Sequence, residues 1–488
     1  MRISKSKFVA GVQCLKRLYW QVHEPELAVQ PDAADQALME QGHEVGLLAR
    51  QLFPGGVEVG SEGGLDQAIR ATRELIANPE MSALFEGVFE HDGVLVRVDV
   101  LHRRRDGRWR LVEVKSSTSV KEEHLDDVGI QSRVVSRCGV DLASVCLAHI
   151  NRNYVFDGGS IDVRRLFKIR NLTRRVQRLQ PKLTFQLRAQ FTVLNMPNAP
   201  EIAPGKHCTT PVTCEFFNRC NPPLPDDHIG YLPRLHASAE EELEEMGVES
   251  IHDVPDDFEL TEIQRRAATC VQTGEPWYSA ELAAELNGLK YPLYFMDFET
   301  VNPALPRFSG MSAYDQLCFQ WSVHVLRESG AEPEHHEFLA TDASDPRREF
   351  IESLCNALGE SGNIIVYSAF ESQRLSELGA YLPEFADRIK QIQARLWDLL
   401  PVVRNNVYHP AFAGSYSLKY VLPALVPEMT YEGMEVANGQ DAGLAWESLV
   451  GGNLGQPQGD KIRKALLDYC GQDTLALVML VEKLRLTD

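Results

Sequence analysis

Two acidic residues and a lysine early in the chain have the types and spacing of a metal-dependent hydrolytic site. Glu113 and Lys115 lie two positions apart in an apolar segment, so on a β-strand both side chains project from one face. The preceding apolar segment carries Asp99 and turns back through Asp106-Gly107, a pair typical of hairpin turns. We expect this hairpin to bring Asp99 opposite residue 113 or 114. Two carboxylates can hold a divalent cation and the lysine can orient a water molecule, which predicts phosphodiester cleavage; the alternative is an exposed strand pair with a surface salt bridge.

A second set of acidic residues is spread over the last 200 or so residues of the chain. Asp297 and Glu299 share one face of a predicted core strand, where unpaired carboxylates cost several kcal/mol unless a cation or a donor takes them up. Glu371 lies where a predicted strand runs into a helix. Tyr469 and Asp473 are four positions apart, on one side of a predicted helix. Acids delivered by a strand, a helix start and a closing helix predict a site that binds two metal ions.

The elements that must position these residues predict an α/β protein. The length allows about three domains, and changes in composition place them at 1–225, 226–288 and 289–488. The middle segment contains an acidic helix at 239–246, which Gly247 ends, and further helical sequence after Leu260. We interpret 226–288 as a helical spacer, which is either a helix-turn-helix that touches a DNA backbone or a solvated linker.

The ten cysteines are too few for a disulfide-rich protein. The basic N-terminal segment predicts an amphipathic helix instead of a secretory signal, and no run of about 18 apolar residues predicts a membrane span. We therefore expect a cytoplasmic protein with no membrane partner, in which clustered thiols bind metal. The cluster consists of one early cysteine and three evenly spaced later ones: Cys14, Cys208, Cys214 and Cys220. It suits a cubane 4Fe–4S cluster; the alternatives are tetrahedral zinc and four unrelated buried thiols.

The first set of residues resembles the RecB-like branch of the PD-(D/E)XK nucleases, which implies a restriction-endonuclease-like fold for 1–225. The resemblance adds His43, on an upstream helix, and Gln131, on the helix after Lys115. It implies that His43, Asp99 and Glu113 bind a divalent metal, that Lys115 is catalytic, and that Gln131 touches DNA. The family often has a tyrosine four residues after this glutamine, and this chain has Val135. Some members carry an iron–sulfur staple with one cysteine before the nuclease core and three after it, the order seen here.

The second set resembles the DEDD exonucleases of the DnaQ and RNase D groups, in the variety that carries a tyrosine. The resemblance implies an RNase H-like mixed sheet at 289–488. It implies that Asp297, Glu299 and Asp473 bind metal and that Tyr469 holds the attacking water. Glu371 occupies a position where the family has aspartate. Asp398 is the substitute candidate, and we rank it lower because it is predicted to lie on a strand instead of at a helix start.

The net charge of −20 argues against general attraction to nucleic acid, but one stretch is basic. Residues 151–190 contain ten lysines or arginines and two acids. The stretch is predicted to be helical, and its proposed phosphate-binding residues are Arg164, Arg165, Lys168, Arg174 and Arg175. The alternative is a solvated helix face. We expect weak, non-specific affinity for DNA more than for RNA, with help from a helicase or repair partner.

Together these patterns predict a Mg²⁺- or Mn²⁺-dependent nuclease with a RecB-like centre and a 3′–5′ exonuclease-like centre. The whole chain resembles bacterial RecB-like nucleases fused to an RNase H-like domain, which implies a role in DNA repair, recombination or defence. No Gly-x4-Gly-Lys-Ser/Thr motif is present, so ATP-driven unwinding would come from another protein. The alternative function is a non-catalytic nucleic-acid-binding adaptor that retains both folds.

Overall fold

The chain is an α/β protein with two mixed sheets, as a computed structural model shows. The structure describes residues 2–486 apart from Ser61, Glu432 and Asn453. Two compact units are present: the first contains residues up to Pro223 together with 303–315, and the second contains 224–302 and 316–488. The segment 226–288 therefore belongs to the second unit. No helix in the described ranges is both long and apolar enough to cross a membrane.

The sheet of the first unit is built around the predicted hairpin. Its strands are β1 (Ile3–Ser4), β2 (Val57–Glu58), β3 (Ala83–His91), β4 (Val94–Arg103), β5 (Trp109–Lys115), β6 (Leu142–Ile150) and β7 (Phe167–Asn171). They are ordered β2-β3-β4-β5-β6-β7, and β1 pairs with β4 in parallel. Strands β3, β4 and β5 are antiparallel, whereas β5 and β6 are parallel and need a crossover helix between them.

Helices cover the first sheet. They are α1 (Lys5–Gln13), α2 (Leu15–His23), α3 (Ala33–Arg50), α4 (Leu65–Ala77), α5 (Glu123–Arg137), α6 (Val163–Leu166), α7 (Thr173–Leu194) and α8 (Phe217–Cys220). Short 3₁₀ helices lie at Pro25–Leu27 and Lys206–Cys208. Helix α5 is the crossover between β5 and β6. Its apolar residues Val128, Val134 and Val135 are buried in one core with the alternating valines of β4, so α5 lies against the strands that carry the acids.

The second unit contains a five-stranded sheet and a separate strand pair. The strands are β8 (Trp277–Tyr278), β9 (Leu293–Val301), β10 (Leu317–Leu326), β11 (Glu334–Leu339), β12 (Ile364–Val366), β13 (Leu396–Asp398) and β14 (Val407–Tyr408). The larger sheet has the order β11-β10-β9-β12-β13, and β14 pairs with β8. Strands β9, β10 and β11 are antiparallel, whereas β12 and β13 run parallel to β9. The predicted strand that carries Asp297 and Glu299 is β9.

The helices of the second unit are α9 (Ala237–Glu245), α10 (Glu262–Thr273), α11 (Leu282–Asn287), α12 (Arg347–Ala357), α13 (Phe370–Tyr381), α14 (Ala386–Gln393), α15 (Leu399–Asn406), α16 (Leu418–Leu425), α17 (Gly439–Val450) and α18 (Gln456–Arg485). Short 3₁₀ helices lie at Ile229–Tyr231, Ile251–Asp253, Pro383–Phe385 and Pro410–Phe412. The long helix α18 packs against β9 and β10. Its buried residues Ala476, Leu477 and Leu480 share a core with Phe295 of β9, which fixes the helix beside the acid-bearing strand.

The prediction that the basic stretch is helical is confirmed for α6 and α7 and is wrong for residues 167–171, which form a strand. Its residues divide among α6, the edge strand β7 and α7, and Lys168 lies on the strand. Residues 167–171 pair antiparallel with β6 and bury Phe167, so backbone pairing with the sheet prevails over the local helical pattern. The side chain of Asn171 accepts a hydrogen bond from the backbone N–H of Thr173 (3.0 Å) where α7 begins.

Candidate active sites

The hairpin of β4 and β5 brings together the acids predicted for the first centre. Val100 pairs with Val112, which places Asp99 at the register position of Glu113. The Oδ2 atom of Asp99 accepts a hydrogen bond from the backbone N–H of Val114 (2.7 Å). The predicted hairpin is therefore confirmed, and two carboxylates lie at the end of β5 beside Lys115.

Glu113 is buried and surrounded by donors. Its Oε1 atom accepts hydrogen bonds from Lys115 Nζ and Lys5 Nζ, each at 2.8 Å, and its Oε2 atom accepts one from Gln131 Nε2 at 2.7 Å. Asp127 on α5 completes the network, because its oxygens accept from Lys115 Nζ (2.6 Å) and Gln131 Nε2 (2.8 Å) and lie 3.2 Å from Lys5 Nζ. The arrangement is a network of two carboxylates, two ammonium groups and one amide.

Sequence reasoning missed Lys5 and Asp127. Asp127 precedes Gln131 by four positions on α5, so helical spacing offered a signal that places both side chains on one face. Lys5 offered no such signal, because it lies 108 positions from Glu113 and approaches it only through the packing of α1.

The two residues that the family resemblance added lie in different surroundings. Gln131 is fully buried and its amide nitrogen bonds to Glu113 and Asp127, so in this structure it orients carboxylates and does not face solvent. Its Oε1 atom is buried without a hydrogen-bond partner. His43 is exposed on α3. Among the described residues, His43 does not belong to a set of three ligand atoms that lie within 4.8 Å of one another.

The pKa values of the acids Asp99 and Glu113, two of the predicted metal ligands of the first centre, are shifted in opposite directions. Burial, followed by repulsion from Glu113, raises the pKa of Asp99 to about 8. Burial would also raise the pKa of Glu113, but the ammonium groups of Lys5 and Lys115 prevail and hold it well below its ordinary value. Without a metal, Asp99 is therefore largely protonated at neutral pH and Glu113 is ionised.

A polar cavity of about 530 Å³ opens beside Lys115. Its walls include the hydroxyl-rich loop 116–119, the side chains of Lys121 and Arg152, and Tyr314 from the segment 303–315. The hydroxyl of Tyr314 donates a hydrogen bond to the carbonyl of Ser116 (2.7 Å), which fixes that loop next to β5. Hydroxyl groups and cations are suitable contacts for phosphate oxygens.

The four predicted cluster cysteines converge at one edge of the first unit. Cys14 lies between α1 and α2, Cys208 ends a 3₁₀ helix, Cys214 follows it and Cys220 ends α8; all four are free thiols. The backbone N–H groups of Gly205 and Phe216 point at the sulfurs of Cys208 and Cys214, at 3.5 and 3.4 Å. Burial raises the pKa of Cys220, and the neighbouring Cys208 and Cys14 raise it further.

This donor set fits a thiolate-bound metal group. Backbone N–H groups directed at sulfur are one of the means by which proteins tune iron–sulfur clusters. Within the part of the chain that is described, the four sulfurs do not all lie within 4.8 Å of one another. Tetrahedral zinc, with Zn–S bonds of about 2.3 Å, would require the four thiolates to lie closer together than that.

The second centre gathers the acids of three distant segments. Asp297 and Glu299 lie on β9, Glu371 is the second residue of α13, and Asp473 lies on α18. Glu299 and Glu371 are 6 % and 4 % exposed. Within the described ranges, no ion pair joins any of these carboxylates to a lysine or arginine. The ligand atoms of Asp297, Glu299 and Cys470 lie within 4.8 Å of one another, and Glu371 Oε2 is buried without a hydrogen-bond partner.

Burial raises the pKa of all four acids of this centre, and repulsion between them adds to it for Asp297 and Glu299. The pKa of Asp297 is well above its ordinary value because of burial and then the charges of Asp473, Glu299 and Glu371. Burial, followed by the charges of Asp473 and Glu371, raises the pKa of Glu299 to about 8. Burial raises the pKa of Glu371 to about 7 and that of Asp473 to about 6. Asp297 and Glu299 therefore hold protons near neutral pH unless a cation replaces them, which is the electrostatic pattern of a metal site.

Two tyrosines contact the second centre, and the sequence pointed to only one of them. Tyr469 is buried one helical turn before Asp473 on α18. Tyr431, which was missed, donates a hydrogen bond from its hydroxyl to Asp473 Oδ1 (2.6 Å). Both tyrosines, together with Asp297, Asp473 and Lys419, line a cavity of about 530 Å³ that gives access to the acids.

Asp398, the substitute for Glu371, lies at the end of β13 and caps α15. Its carboxylate accepts a hydrogen bond from the backbone N–H of Leu400 (3.0 Å). It contributes to the raised pKa of Glu371, after burial, and so it lies near the cluster without completing it. Asp398 thus lies on a strand, as predicted, but also at a helix start, so the reason for ranking it below Glu371 was wrong. Glu371 is at the start of α13, where the sequence predicted it.

The basic residues form an exposed row on the first unit. Arg164, Arg165, Arg174 and Arg175 are exposed and Lys168 is half-buried. Arg175 donates to Glu122 (2.6 Å) and the Arg165 guanidinium lies over the Tyr154 ring, so two of the five have partners within the protein.

Part of the second unit matches a protein-family profile. The profile of a family described as "Domain of unknown function (DUF2779)" matches residues 294–417. The matched region begins on β9 and includes Asp297, Glu299, Glu371 and Asp398, but it ends before α18. No curated protein matches the chain.

Proposed function

We propose that this protein is a metal-dependent nuclease with two active centres, one in each compact unit. The observation that carries the proposal is the second centre, where the carboxylates of Asp297, Glu299, Glu371 and Asp473 converge and, among the residues that the structure describes, none forms an ion pair with a lysine or arginine. Isolated buried carboxylates are costly, and divalent cations are the ligands that compensate several of them at one place. The orphaned oxygen of Glu371 supports the fit of such a cation to these residues.

The arrangement favours phosphodiester hydrolysis over other metal-dependent reactions. A mixed sheet with three antiparallel strands followed by two parallel ones supports an RNase H-like fold, and the Asp-x-Glu strand, α13 and α18 carry the acids expected of a DEDD exonuclease. Bound metal ions would supply an activated water and neutralise the leaving oxygen. The side chains of Asp297, Glu299 and Asp473 would hold the ions, and Tyr469 would orient the water.

The first centre supports a second hydrolytic site of the RecB-like PD-(D/E)XK type. Asp99 and Glu113 would hold a divalent ion, and the buried, unpartnered Oε1 atom of Gln131 is a further acceptor beside them. Lys115 would stabilise charge that develops on the phosphate. The cavity beside Lys115, with its hydroxyls and its two cations, is the proposed entry for a nucleic-acid strand, and DNA is favoured by the resemblance.

Single-centre variants test this proposal. Purified protein is incubated with single- and double-stranded DNA and with RNA, in Mg²⁺ or Mn²⁺ and in EDTA. We expect Asp473→Asn to lower cleavage of at least one substrate by roughly 100-fold or more, since it removes a group that stabilises charge through the metal. The matched control is Asp468→Asn, which changes an exposed carboxylate on the same helix that pairs with Lys464, and this variant should cleave normally. Lys115→Ala tests the first centre in the same assay.

Metal-dependent cleavage that survives in an Asp473→Asn, Lys115→Ala double variant would contradict the proposal, as would a cluster-loaded wild-type protein that cuts no nucleic acid. A non-catalytic nucleic-acid-binding adaptor is the second candidate for the first unit, because Lys5, Lys115 and Gln131 already occupy Glu113. Lys115→Ala distinguishes the two candidates. Cleavage is unchanged in this variant if the first unit is an adaptor, and it falls if the first unit is an enzyme.

A further inference from the structure

Lys5 reaches the first centre because the N-terminal segment joins the sheet. The strand β1 pairs with β4 in parallel, with Ile3 opposite Val94, on the strand that carries Asp99. Ser4 then caps α1 by accepting a hydrogen bond from the backbone N–H of Lys7. Lys5 is the first residue of α1, so its position is set by the pairing of β1 and by the helix cap at Ser4. Its ammonium group is mostly buried, with the side chain 23 % exposed.

The Lys5 ammonium lies where two carboxylates of the centre converge. Its Nζ atom is 2.8 Å from Glu113 Oε1 and 3.2 Å from Asp127 Oδ1. Glu113 receives a second ammonium from Lys115 on the same oxygen and the Gln131 amide on the other. Both lone pairs of Glu113 Oε1 are therefore engaged by ammonium groups, and a metal ion can bind this oxygen only if one of the two lysines withdraws.

The positions of the two lysines in the fold identify which ammonium group withdraws. When a divalent cation replaces the proton of Asp99, the carboxylates of Asp99, Glu113 and Asp127 carry three negative charges against two positive ones. If one lysine leaves, two negative charges remain, which the divalent cation neutralises. Lys115 belongs to the same strand as Glu113, and the proposed function requires it at the reacting phosphate, whereas Lys5 comes from a separate element.

We propose that Lys5 is a displaceable internal cation that occupies the metal position of the first centre, and that a divalent ion enters as the Lys5 ammonium leaves Glu113 and Asp127. This inference rests on the proposed metal site of the first unit. It adds that the Lys5 ammonium group keeps divalent ions from binding until it is displaced. It predicts that the lysine and the metal ion compete for the same oxygens.

Metal affinity, measured without any cleavage assay, tests the competition. All variants are made in full-length protein with Asp297→Asn and Asp473→Asn, so that the second centre does not contribute. Isothermal titration with Mn²⁺ compares this parent with Lys5→Met and Lys5→Gln. We expect both variants to bind one Mn²⁺ at least tenfold more tightly than the parent. In EDTA their melting temperatures should fall below that of the parent, because two carboxylates lose a counterion, and saturating Mn²⁺ should narrow the difference.

Lys7→Met is the matched control, because Lys7 lies on the same helix and its side chain makes no hydrogen bond with Asp99, Glu113 or Asp127. It should leave Mn²⁺ affinity unchanged. Mn²⁺ binding by Lys5→Met and Lys5→Gln that is equal to the parent, weaker or absent would overturn the inference. A protein that cuts no nucleic acid but shows the tightened Mn²⁺ binding would overturn the proposed function and leave this inference in place.

Discussion

At the scale of single residues, the second centre depends on how Asp473 is oriented. Burial opposes the ionisation of its carboxylate, which acts electrostatically on Asp297 and Glu299. Hydrogen bonds from Tyr431 and Tyr469 act against that burial and lower the pKa of Asp473. Tyr431 is therefore a positioning residue, because its hydroxyl holds the Oδ1 atom of Asp473.

We expect Tyr431→Phe to weaken metal binding by about tenfold, the lower end of the effect of removing a hydrogen bond to a metal ligand. The loss of the donor should also raise the pKa of Asp473, so that the binding of Mn²⁺ requires a higher pH. Titration of Mn²⁺ at several pH values measures both effects. Tyr420→Phe, an exposed tyrosine on α16, is the control. Equal Mn²⁺ affinity of Tyr431→Phe and wild type across the pH range would contradict this role.

At the scale of elements, β9, α13 and α18 are held together although their acids repel one another. The apolar core that joins α18 to β9 and β10 supplies the compensating stability. Raised carboxyl pKa values mean that the folded protein holds more protons than the unfolded chain. Stability from this source is present at low pH and is lost as the pH rises through the folded-state pKa values.

Metal-free protein should therefore become less stable between about pH 5 and pH 8, the window that the raised pKa values of Asp473 (about 6), Glu371 (about 7) and Glu299 (about 8) define. The lowered pKa of Glu113 acts only at lower pH, where its protonation removes stability. Melting temperatures in EDTA at each pH test this, and saturating Mn²⁺ should flatten the profile. Asp473→Asn should also reduce the slope of melting temperature against pH. A slope identical to that of wild type would contradict the assignment of this pH dependence to the second centre.

Within the first unit, the N-terminal helices α1 and α2 contact the segment 206–220. The Gln13 amide donates to the carbonyls of His207 and Val212 (2.7 Å each), and Arg17 pairs with Glu215 (2.8 Å). Trp20 packs against Phe216 in a small buried cluster beside the cysteines. The proposed iron–sulfur cluster would join these two parts of the chain through bonds that apolar packing alone cannot replace.

We expect Cys14→Ser to lower the iron content and to remove the brown colour of anaerobically purified protein, and to lower the melting temperature of the first unit by several degrees. Cys138→Ser, a half-buried thiol of the same unit outside the cluster, should retain iron. Iron and sulfide analysis with visible absorption measures the outcome. Colourless wild-type protein with one equivalent of zinc would assign these thiols to zinc instead.

At the scale of the whole molecule, charge is unevenly distributed. The chain carries a net charge of −20, whereas the basic row on α6, β7 and α7 is the most cationic stretch of the first unit. Local fields decide where a polyanion binds, and the acidic remainder limits non-specific association. Arg174 and Arg178 are exposed on α7, and they are the members of the row best suited to contact phosphates.

Arg174→Glu with Arg178→Glu should weaken DNA binding and reduce the slope of log affinity against log salt by about two, roughly one for each lost phosphate contact. Fluorescence anisotropy at 50–300 mM salt measures the slope. The control exchanges Lys390 and Lys461, which are exposed cations of the second unit, for glutamate. An unchanged slope for the α7 variant would assign the row to a solvated helix face.

The sequence by itself determined the local geometry of both centres. A period of two on a strand placed Glu113 beside Lys115 and Asp297 beside Glu299, a turn dipeptide placed Asp99 opposite Glu113, and helical spacing placed Tyr469 near Asp473. These relations follow from backbone periodicity and need no knowledge of distant contacts. The α/β class followed from the same patterns.

Only the tertiary structure decided which distant side chains complete each centre. Lys5 meets Glu113 because β1 joins β4, and Tyr431 meets Asp473 although 42 positions separate them. Packing likewise decided three other features. Gln131 is buried, residues 167–171 form a strand, and the segment 303–315 belongs to the first unit. Burial and sheet pairing depend on the sum of many weak contacts between elements, and no local pattern of residue types contains that sum.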